Sequence, residues 1–297
     1  MTDQLVQFSD ALAARVEATK PTAIAIRLAH ERHITGIVWR PDIVVTSEQA
    51  LPPREEFEVV TAGGAVTTAK VAGRDSSTNI AVLRLQEPLA SYSITTSEAH
   101  AGAIVIAIAA DGTGGATARL GIVNSVGPEW HSTRGGLIDR RIALDVRLAR
   151  SEEGGPIFDA AGNYIGMSTF GPRGQVLVIP TTTIDRILPM LLKNGRVARG
   201  WLGVTLQAVA VPDALHEAAD QSSGLMVMSV LENSPAAQAG ILAGDIILSV
   251  DGNSTHRFRK IARYFGSESI GRKTDLRLIR SGAVITVNTT ITERPAA

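Results

Sequence analysis

The first segment of the chain has the hydrophobic period of a helix. Its apolar side chains recur at steps of three or four residues, at Leu5, Phe8, Leu12 and Val16. This spacing places them on one face of an amphipathic α-helix. Pro21 follows the last of them and predicts the end of that helix.

After this helix the pattern changes to short runs rich in Ile and Val, separated by Gly, Pro, Asp and Ser. Strands of this length and spacing predict a β-barrel or a β-sandwich. A helix then closes the region, because 183–192 is followed by a basic last turn and Gly195. The predicted strands cover 22–28, 34–39, 43–46, 57–61, 66–73, 80–85, 104–109, 119–126, 137–146, 164–170 and 175–179.

A polar connector at 196–199 leads into a second region of mixed strands and helices. Strands are predicted at 202–207, 225–230, 246–250, 275–280 and 283–292, with one helix near Pro235 and another over 258–265. A region of this size and mixture is typical of one small α+β domain. We therefore predict two domains, 1–195 and 200–297, joined by the linker 196–199.

Composition and charge narrow the classes of function. The 297 residues are 44% hydrophobic and 20% charged, as in a globular protein with a proper core. Lys and Arg number 29, and so do Asp and Glu, so the net charge gives no general attraction for nucleic acid. We expect no nucleic-acid partner.

The chain has no cysteine, which excludes disulfides, thiolate metal sites and a cysteine nucleophile. Its first residues lack the basic and apolar regions of a signal peptide, and no apolar run approaches membrane-spanning length. The sequence therefore predicts a cytoplasmic protein without a membrane span. A periplasmic location is expected only for a trimmed mature form.

Several motifs occur in the order known from one protease family. Residues 151–157, Ser-Glu-Glu-Gly-Gly-Pro-Ile, resemble the G-N-S-G-G-P segment around the nucleophile of HtrA/Deg-type serine proteases. Residues 46–51 resemble the family's T-N-N-H-V-V, 75–83 resemble D-x-x-T-D-L-A-V-L, and 176–180 resemble its exit F-A-I-P. Residues 200–204, 232–240 and 244–247 resemble a PDZ domain. The resemblance implies a mainly β fold, a trypsin-like double β-barrel followed by a small α+β PDZ domain.

The residues at the three catalytic positions differ from the family pattern. Gln49 stands at the histidine position, Asn79 at the aspartate position and Glu153 at the serine position. An amide has no basic pKa near neutrality, and a carboxylate is a poor nucleophile toward amides. The neighbouring carboxylates could also block the oxyanion hole. We therefore expect an inactive serine protease homologue, with no catalytic residue and no enzyme activity.

Single residues elsewhere in the chain allow other chemistry. Ser151 could replace the nucleophile, but it is better interpreted as a turn serine, and Glu152 beside Glu153 as a solvated acidic turn. His30 and His33 have a spacing that a metal could use, but they fall at a predicted hairpin tip. The glycine-rich 111–115 lacks the Lys of a phosphate loop. We expect no metal and no cofactor.

The PDZ-like region predicts a peptide-binding role. In PDZ domains an extended peptide adds to a sheet edge, and backbone N–H groups hold its C-terminal carboxylate. The expected function is that of a non-catalytic adaptor, chaperone-like factor or assembly subunit that binds protein C-termini. The alternatives are a structural subunit bound through the barrel surface and an endopeptidase that uses unrecognised residues. The family resemblance also implies a homotrimer or a mixed assembly. The predicted peptide-binding residues are Trp201, Leu202, Gly203, Val204, Thr205, Leu206, Ile261 and Phe265.

Overall fold

A computed structural model describes residues 3–29, 32–90, 95–255, 261 and 264–295. The chain divides into two compact units. The barrel unit comprises Met1–Trp130 and Leu137–Val197, and the second unit comprises His131–Gly136 and Ala198–Ala297.

Helix α1 spans Gln4–Thr19, close to the predicted segment. The Asp3 carboxylate begins it by accepting a hydrogen bond from the N–H of Leu5 at 3.0 Å. Only part of its apolar face is covered. Leu12 and Val16 pack against the core, whereas Leu5 and Phe8 are 72% and 45% exposed.

The first barrel closes in the order β1-β2-β3-β6-β5-β4, with β1 paired to β4. All its neighbouring strands are antiparallel, which lets short turns connect most of them. Its strands are β1 (Ala23–Ala29), β2 (Arg32–Arg40), β3 (Ile43–Ser47), β4 (Glu56–Val60), β5 (Val66–Asp75) and β6 (Ile80–Leu85).

The second barrel closes in the order β11-β14-β13-β12-β7-β8, with β8 paired to β11. Two short strands, β9 (Trp130–His131) and β10 (Leu137–Ile138), pair with each other outside it. The predicted strand 137–146 is therefore two strands, separated at Asp139 and Arg140. The barrel strands are β7 (Ile104–Ala110), β8 (Ala116–Gly127), β11 (Arg141–Asp145), β12 (Pro156–Asp159), β13 (Tyr164–Phe170) and β14 (Val176–Pro180).

Helix α2 (Thr181–Asn194) ends as the sequence predicts, at Gly195 with φ +70°. Its buried face packs with residues of both barrels, including Ile37 of β2 and Phe158 of β12. Gly73 of β5 permits this approach, because a Cβ there would lie 2.7 Å from the Leu191 carbonyl oxygen.

The second unit contains a sheet in the order β16-β17-β18-β20-β21, with β19 paired to β18, and a separate pair β15-β22. Its strands are β15 (Gly200–Trp201), β16 (Val204–Ala210), β17 (Ser223–Val230), β18 (Ile246–Val250), β19 (Asn253–Ser254), β20 (Lys273–Arg280), β21 (Ala283–Thr290) and β22 (Thr292–Glu293). Its described residues include the short helices α3 (His216–Ala219) and α4 (Pro235–Gln238).

The predicted mainly β fold with two barrels and a small α+β region is confirmed. Strand β12 and helix α3 were not predicted, because each is only four residues long and lacks a full hydrophobic period. The predicted helix over 258–265 lies mostly outside the described residues.

Phe158 is a direct test of the barrel core. Its side chain is 1% exposed, and its ring centroid lies 4.4 Å from that of Tyr164. We expect Phe158→Ala to lower the free energy of unfolding of the barrel unit by about 3–5 kcal/mol, because it leaves a cavity. Urea unfolding followed by tryptophan fluorescence measures this loss.

Phe8→Ala is the matched control, since the same side chain is removed from a half-exposed site. We expect a loss of about 1 kcal/mol or less. Equal losses in the two variants would contradict the assignment of Phe158 to the core.

Candidate functional site

The three positions predicted from the protease motifs meet in the barrel unit. Gln49 lies in the 3-10 turn Glu48–Ala50 that follows β3, and Asn79 lies in the turn between β5 and β6. Glu153 follows the 3-10 turn Arg150–Glu152 and precedes β12. The first two residues belong to the first barrel and Glu153 to the second.

The Asp75 carboxylate shapes the turn that carries Asn79. It accepts hydrogen bonds from the hydroxyl groups of Ser77 and Thr78, each at 2.7 Å, and from both of their backbone N–H groups at 3.2 Å. The turn ends with Asn79 at φ +60°, a conformation that asparagine tolerates better than most residues. The backbone of Asn79 is thereby fixed.

The Glu153 carboxylate is the centre of the site. Its Oε1 accepts hydrogen bonds from Gln49 Nε2 at 2.6 Å, Ser47 Oγ at 2.8 Å and Thr169 Oγ1 at 3.2 Å. Only 7% of Glu153 is exposed. Hydrogen bonds from these polar neighbours replace the hydration that the carboxylate loses on burial.

Asn79 completes the network through both ends of its amide. Its Oδ1 accepts from the backbone N–H of Gln49 at 2.7 Å. Its Nδ2 donates to Ser47 Oγ at 2.9 Å and to Thr169 Oγ1 at 2.6 Å. The two hydroxyl groups therefore accept from Asn79 and donate to Glu153. Sequence reasoning missed both Ser47 and Thr169. Ser47 stands in the 46–51 motif, which could have marked it, but Thr169 had no signal of its own.

Glu152 points elsewhere, so the two acids do not act as a pair. Its Oε1 accepts from Thr117 Oγ1 and Arg119 Nε, both at 3.0 Å, and its Oε2 accepts from the N–H of Ala149 at 2.6 Å. Glu152 is 5% exposed, so the solvated acidic turn predicted for this pair is wrong. Both carboxylates are buried and accept hydrogen bonds from specific donors.

The backbone amide of Glu153 is engaged within its own turn. Its N–H donates to the Arg150 carbonyl at 3.4 Å, and the Glu153 carbonyl accepts from the N–H of Thr35 at 3.1 Å. Thr35 Oγ1 also donates to the Ser151 carbonyl at 2.8 Å. In this arrangement the Glu153 N–H faces a protein carbonyl rather than a bound substrate oxygen.

The groups gathered here are one carboxylate, two amides and two hydroxyls, with no imidazole among the described residues of the network. Both hydroxyls donate to Glu153 Oε1; Ser47 makes the shorter contact, and its residue is fully buried. The pocket can therefore accept a proton at Glu153 and offer a hydroxyl at Ser47.

The other sequence candidates lie apart from this network. His33 Nε2 is 3.0 Å from the Ala110 carbonyl, whereas His30 lies outside the described residues. The Asp111 carboxylate bonds its own loop, and the N–H of Thr113 lowers its pKa most. Among the described residues, no three His, Cys, Asp or Glu side chains form a group that could hold a metal ion.

A second site lies in the second unit, along β16. We call it the β16 groove, a cavity of about 280 Å³. Thr205 points away from it, and its Oγ1 accepts a hydrogen bond from Ser229 Oγ at 3.0 Å, as expected for alternating side chains. Seven of the eight predicted peptide-binding residues line the groove: Trp201, Leu202, Gly203, Val204, Leu206, Ile261 and Phe265.

The loop at the head of the groove requires glycine at position 203. Gly203 has φ +81°, and a Cβ there would lie 2.2 Å from Ser234 Cβ. The Leu202 carbonyl accepts from the N–H of Ala236 at 3.0 Å and the Gly203 carbonyl from that of Leu231 at 2.8 Å. Leu202 and Gly203 lie between the pairings of β15 and β16, outside both ladders.

Both units of the chain match known protein families. A family described as "Trypsin-like peptidase domain" matches residues 34–167, and one described as "PDZ domain" matches residues 200–291. A "Probable periplasmic serine endoprotease DegP-like" from Brucella suis is 31% identical over 95% of this chain. The chain is of the HtrA/DegP type, with a trypsin-like peptidase domain and a PDZ domain.

Other relatives extend the same similarity. The "Periplasmic serine endoprotease DegP" of Salmonella typhimurium is 30% identical over 82% of this chain and 53% of its own length. The chain spans about half the length of the curated relatives it matches, 56% for the Brucella suis protein.

Solved structures share the fold over nearly the whole chain. A serine endoprotease from Yersinia pestis matches with a TM-score of 0.68 and 25% identity, covering 97% of this chain and 98% of that one. "HtrA-type protease AlgW with decapeptide" matches with a TM-score of 0.70 and 22% identity, covering 96% and 99%.

These relatives contradict two predictions. The HtrA/DegP-type chain was expected not to be an enzyme, but relatives similar over most of it are named serine endoproteases. That expectation came from the residue types at three positions alone, Gln49, Asn79 and Glu153. The cytoplasmic location is also wrong, because the relatives are named periplasmic. Among the described residues, no helix has the length and apolar character needed to cross a membrane.

Glu153 gives the site a measurable role in stability. We expect Glu153→Ala to lower the free energy of unfolding of the barrel unit by about 2–3 kcal/mol, because the buried hydroxyls of Ser47 and Thr169 and the amide of Gln49 lose their acceptor. Urea titration followed by tryptophan fluorescence measures the change.

Glu56→Ala removes an exposed carboxylate from β4 and is the control, expected to change stability by less than about 0.5 kcal/mol. A Glu153 variant as stable as the wild type would show that the network does not hold the barrels.

Proposed function

We propose that this HtrA/DegP-type protein recognises polypeptides by their C-termini in the β16 groove of its PDZ domain. The observation that carries the proposal is the open edge of β16. Among the described strands, β16 pairs with β17 alone and stands first in the sheet order. An extended peptide can therefore add beside it with main-chain hydrogen bonds.

The head of the groove suits a carboxylate. The N–H groups of Leu202 and Gly203 lie outside both ladders, and successive backbone N–H groups in such a loop form an anion-binding concavity. Apolar side chains of Leu206, Ile261 and Phe265 line the wall beyond it. The groove therefore suits a ligand with a free C-terminal carboxylate and an apolar last side chain.

Peptide hydrolysis is the second candidate function, supported by the names of the relatives. In the trypsin-like domain, Glu153 Oε1 accepts from Ser47 Oγ at 2.8 Å. This is the pairing of base and hydroxyl that nucleophilic catalysis requires. Ser47 is fully buried, so a substrate reaches it only after the network opens. We propose the periplasm as the location, again from the relatives. A trimeric or mixed assembly stays a prediction.

Leu206→Asp tests the groove. We expect this variant of the full chain to bind a short fluorescein-labelled Gly/Ser peptide ending in Ala-Val at least about tenfold more weakly, because a carboxylate replaces an apolar wall. Fluorescence anisotropy measures the affinity. For the wild-type protein, we expect the affinity of the amidated peptide to be at least about tenfold lower than that of the peptide with a free carboxylate.

Thr205→Asp is the matched control, because the same charge enters the next position of β16 on the face away from the groove. Its affinity is expected to stay within about twofold of the wild type. Equal binding of the free and amidated peptides would contradict recognition of the C-terminus.

Glu153→Gln and Ser47→Ala test hydrolysis. Release of dye from labelled unfolded casein measures turnover. Each variant is expected to reduce the wild-type rate about 100-fold or more, because Glu153→Gln removes the general base and Ser47→Ala the nucleophile. An unchanged rate in both variants would contradict a role for this pair. Absence of wild-type turnover would contradict the hydrolytic function and leave peptide recognition alone.

A further inference from the structure

The first barrel is closed by a ladder over only part of its height. Among the described residues, β1 and β4 pair at two positions, Ala25 with Val60 and Ile26 with Val59. In contrast, β4 pairs with β5 over its whole length, Glu56–Val60. Past Ile26, β1 and β4 therefore diverge, and their facing edges are not joined by a ladder. We call this opening the β1–β4 seam.

A cavity of about 460 Å³ lies in the seam. It is lined by 27–29 of β1, by 56–58 of β4, and by Arg54 and Thr68. Next to the ladder, Arg27 Nη1 lies 3.6 Å from Glu58 Oε2. The lining includes two arginines and two glutamates, so its charges balance and favour neither sign of ligand.

The main chain of Glu56 faces the seam. On the other side of β4, the Glu55 carbonyl accepts from the N–H of Val71 at 2.8 Å, and the N–H of Thr61 donates to the Ala65 carbonyl at 2.9 Å. Successive residues of a strand direct their main-chain groups to opposite neighbours. The odd-numbered residues of β4 therefore bond toward β5, whereas Glu56 directs its N–H and carbonyl toward β1. Among the described strands, none pairs with Glu56 on that side.

We propose that the β1–β4 seam binds an extended, uncharged segment of another polypeptide, which adds as a strand beside β4. Its main chain exchanges hydrogen bonds with Glu56, in the manner of strand addition to an open sheet edge. Its alternate side chains face the core of the first barrel, where Leu28 and Phe57 pack. β-Branched residues suit this half-buried position. This polypeptide site lies in the barrel unit and is separate from the β16 groove.

An amidated peptide tests the seam on the full chain. The probe is a fluorescein-labelled repeat of Thr-Val flanked by Gly-Ser, and its amidated end lacks the carboxylate that the β16 groove is proposed to require. An amidated Gly/Ser peptide of equal length is the comparison. By fluorescence anisotropy we expect the Thr/Val peptide to bind at least about fivefold more tightly, because its residues favour the extended strand.

Glu56→Pro and Glu56→Gln locate the binding. Proline removes the N–H that faces the seam, and the first residue of a strand tolerates proline. We expect Glu56→Pro to weaken the Thr/Val peptide about tenfold or more. Glu56→Gln keeps the N–H and is the matched control, expected to stay within about twofold of the wild type. Circular dichroism of both variants checks that the fold is intact.

Hydrogen–deuterium exchange of the wild-type chain tests the same contact without any substitution, so the proposal stays testable if Glu56→Pro does not fold. With saturating Thr/Val peptide, we expect slower exchange at 56–58 and unchanged exchange at 202–207, because the added strand bonds to the seam edge of β4.

The other outcomes overturn the proposal. Equal affinity of Glu56→Pro and Glu56→Gln places the probe elsewhere, and equal binding of the Thr/Val and Gly/Ser peptides shows no selection of a strand. Protection at 202–207 instead of 56–58 assigns the probe to the β16 groove. Protection of 56–58 that rises with protein concentration in the absence of peptide identifies a second copy of this chain as the occupant. Absence of binding overturns the seam site and leaves the test of C-terminal recognition unaffected.

Discussion

One buried oxygen, Glu153 Oε1, ties the first barrel to the second. It accepts from Ser47 and Gln49 of the first barrel and from Thr169 of the second. Ser47, Glu153 and Thr169 are buried, so their polar groups must be satisfied by one another and by the amides of Gln49 and Asn79. Gly154 shows the constraint, because a Cβ there would lie 2.3 Å from the Thr35 carbonyl oxygen. The interface between the barrels is thus organised around a charge rather than by apolar contact alone.

The main structural feature of the PDZ domain is the exposed backbone edge of strand β16. The edge of β16 has main-chain groups available for a further strand, and Gly203 allows the loop before it to turn sharply. An open edge risks nonspecific pairing. Here the groove places an apolar wall beside that edge, which adds selection by side-chain fit.

Much of the fold could be predicted from the sequence, because short apolar runs, turn residues and ordered motifs all agree. Those motifs also indicated that Gln49, Asn79 and Glu153 lie together in one site. The roles of Ser47 and Thr169 did not, since a hydroxyl in a strand carries no periodic signal. Arg134, which also lines the β16 groove, was missed for another reason: it lies more than sixty positions before the groove strand, and only the tertiary structure brings it there. The proposals on location and hydrolysis come from relatives, because the chemistry of single residues does not define either.

Hydrogen–deuterium exchange of the full chain, with and without a saturating Gly/Ser peptide ending in Ala-Val, tests peptide recognition most directly. A bound peptide that extends the sheet must protect the backbone amides of 202–207, where the loop and the first half of β16 lie. We predict slower exchange in that segment with the free carboxylate and no change with the amidated peptide. Unchanged exchange at 202–207 under saturation, or protection confined to the barrels, would contradict recognition in the β16 groove.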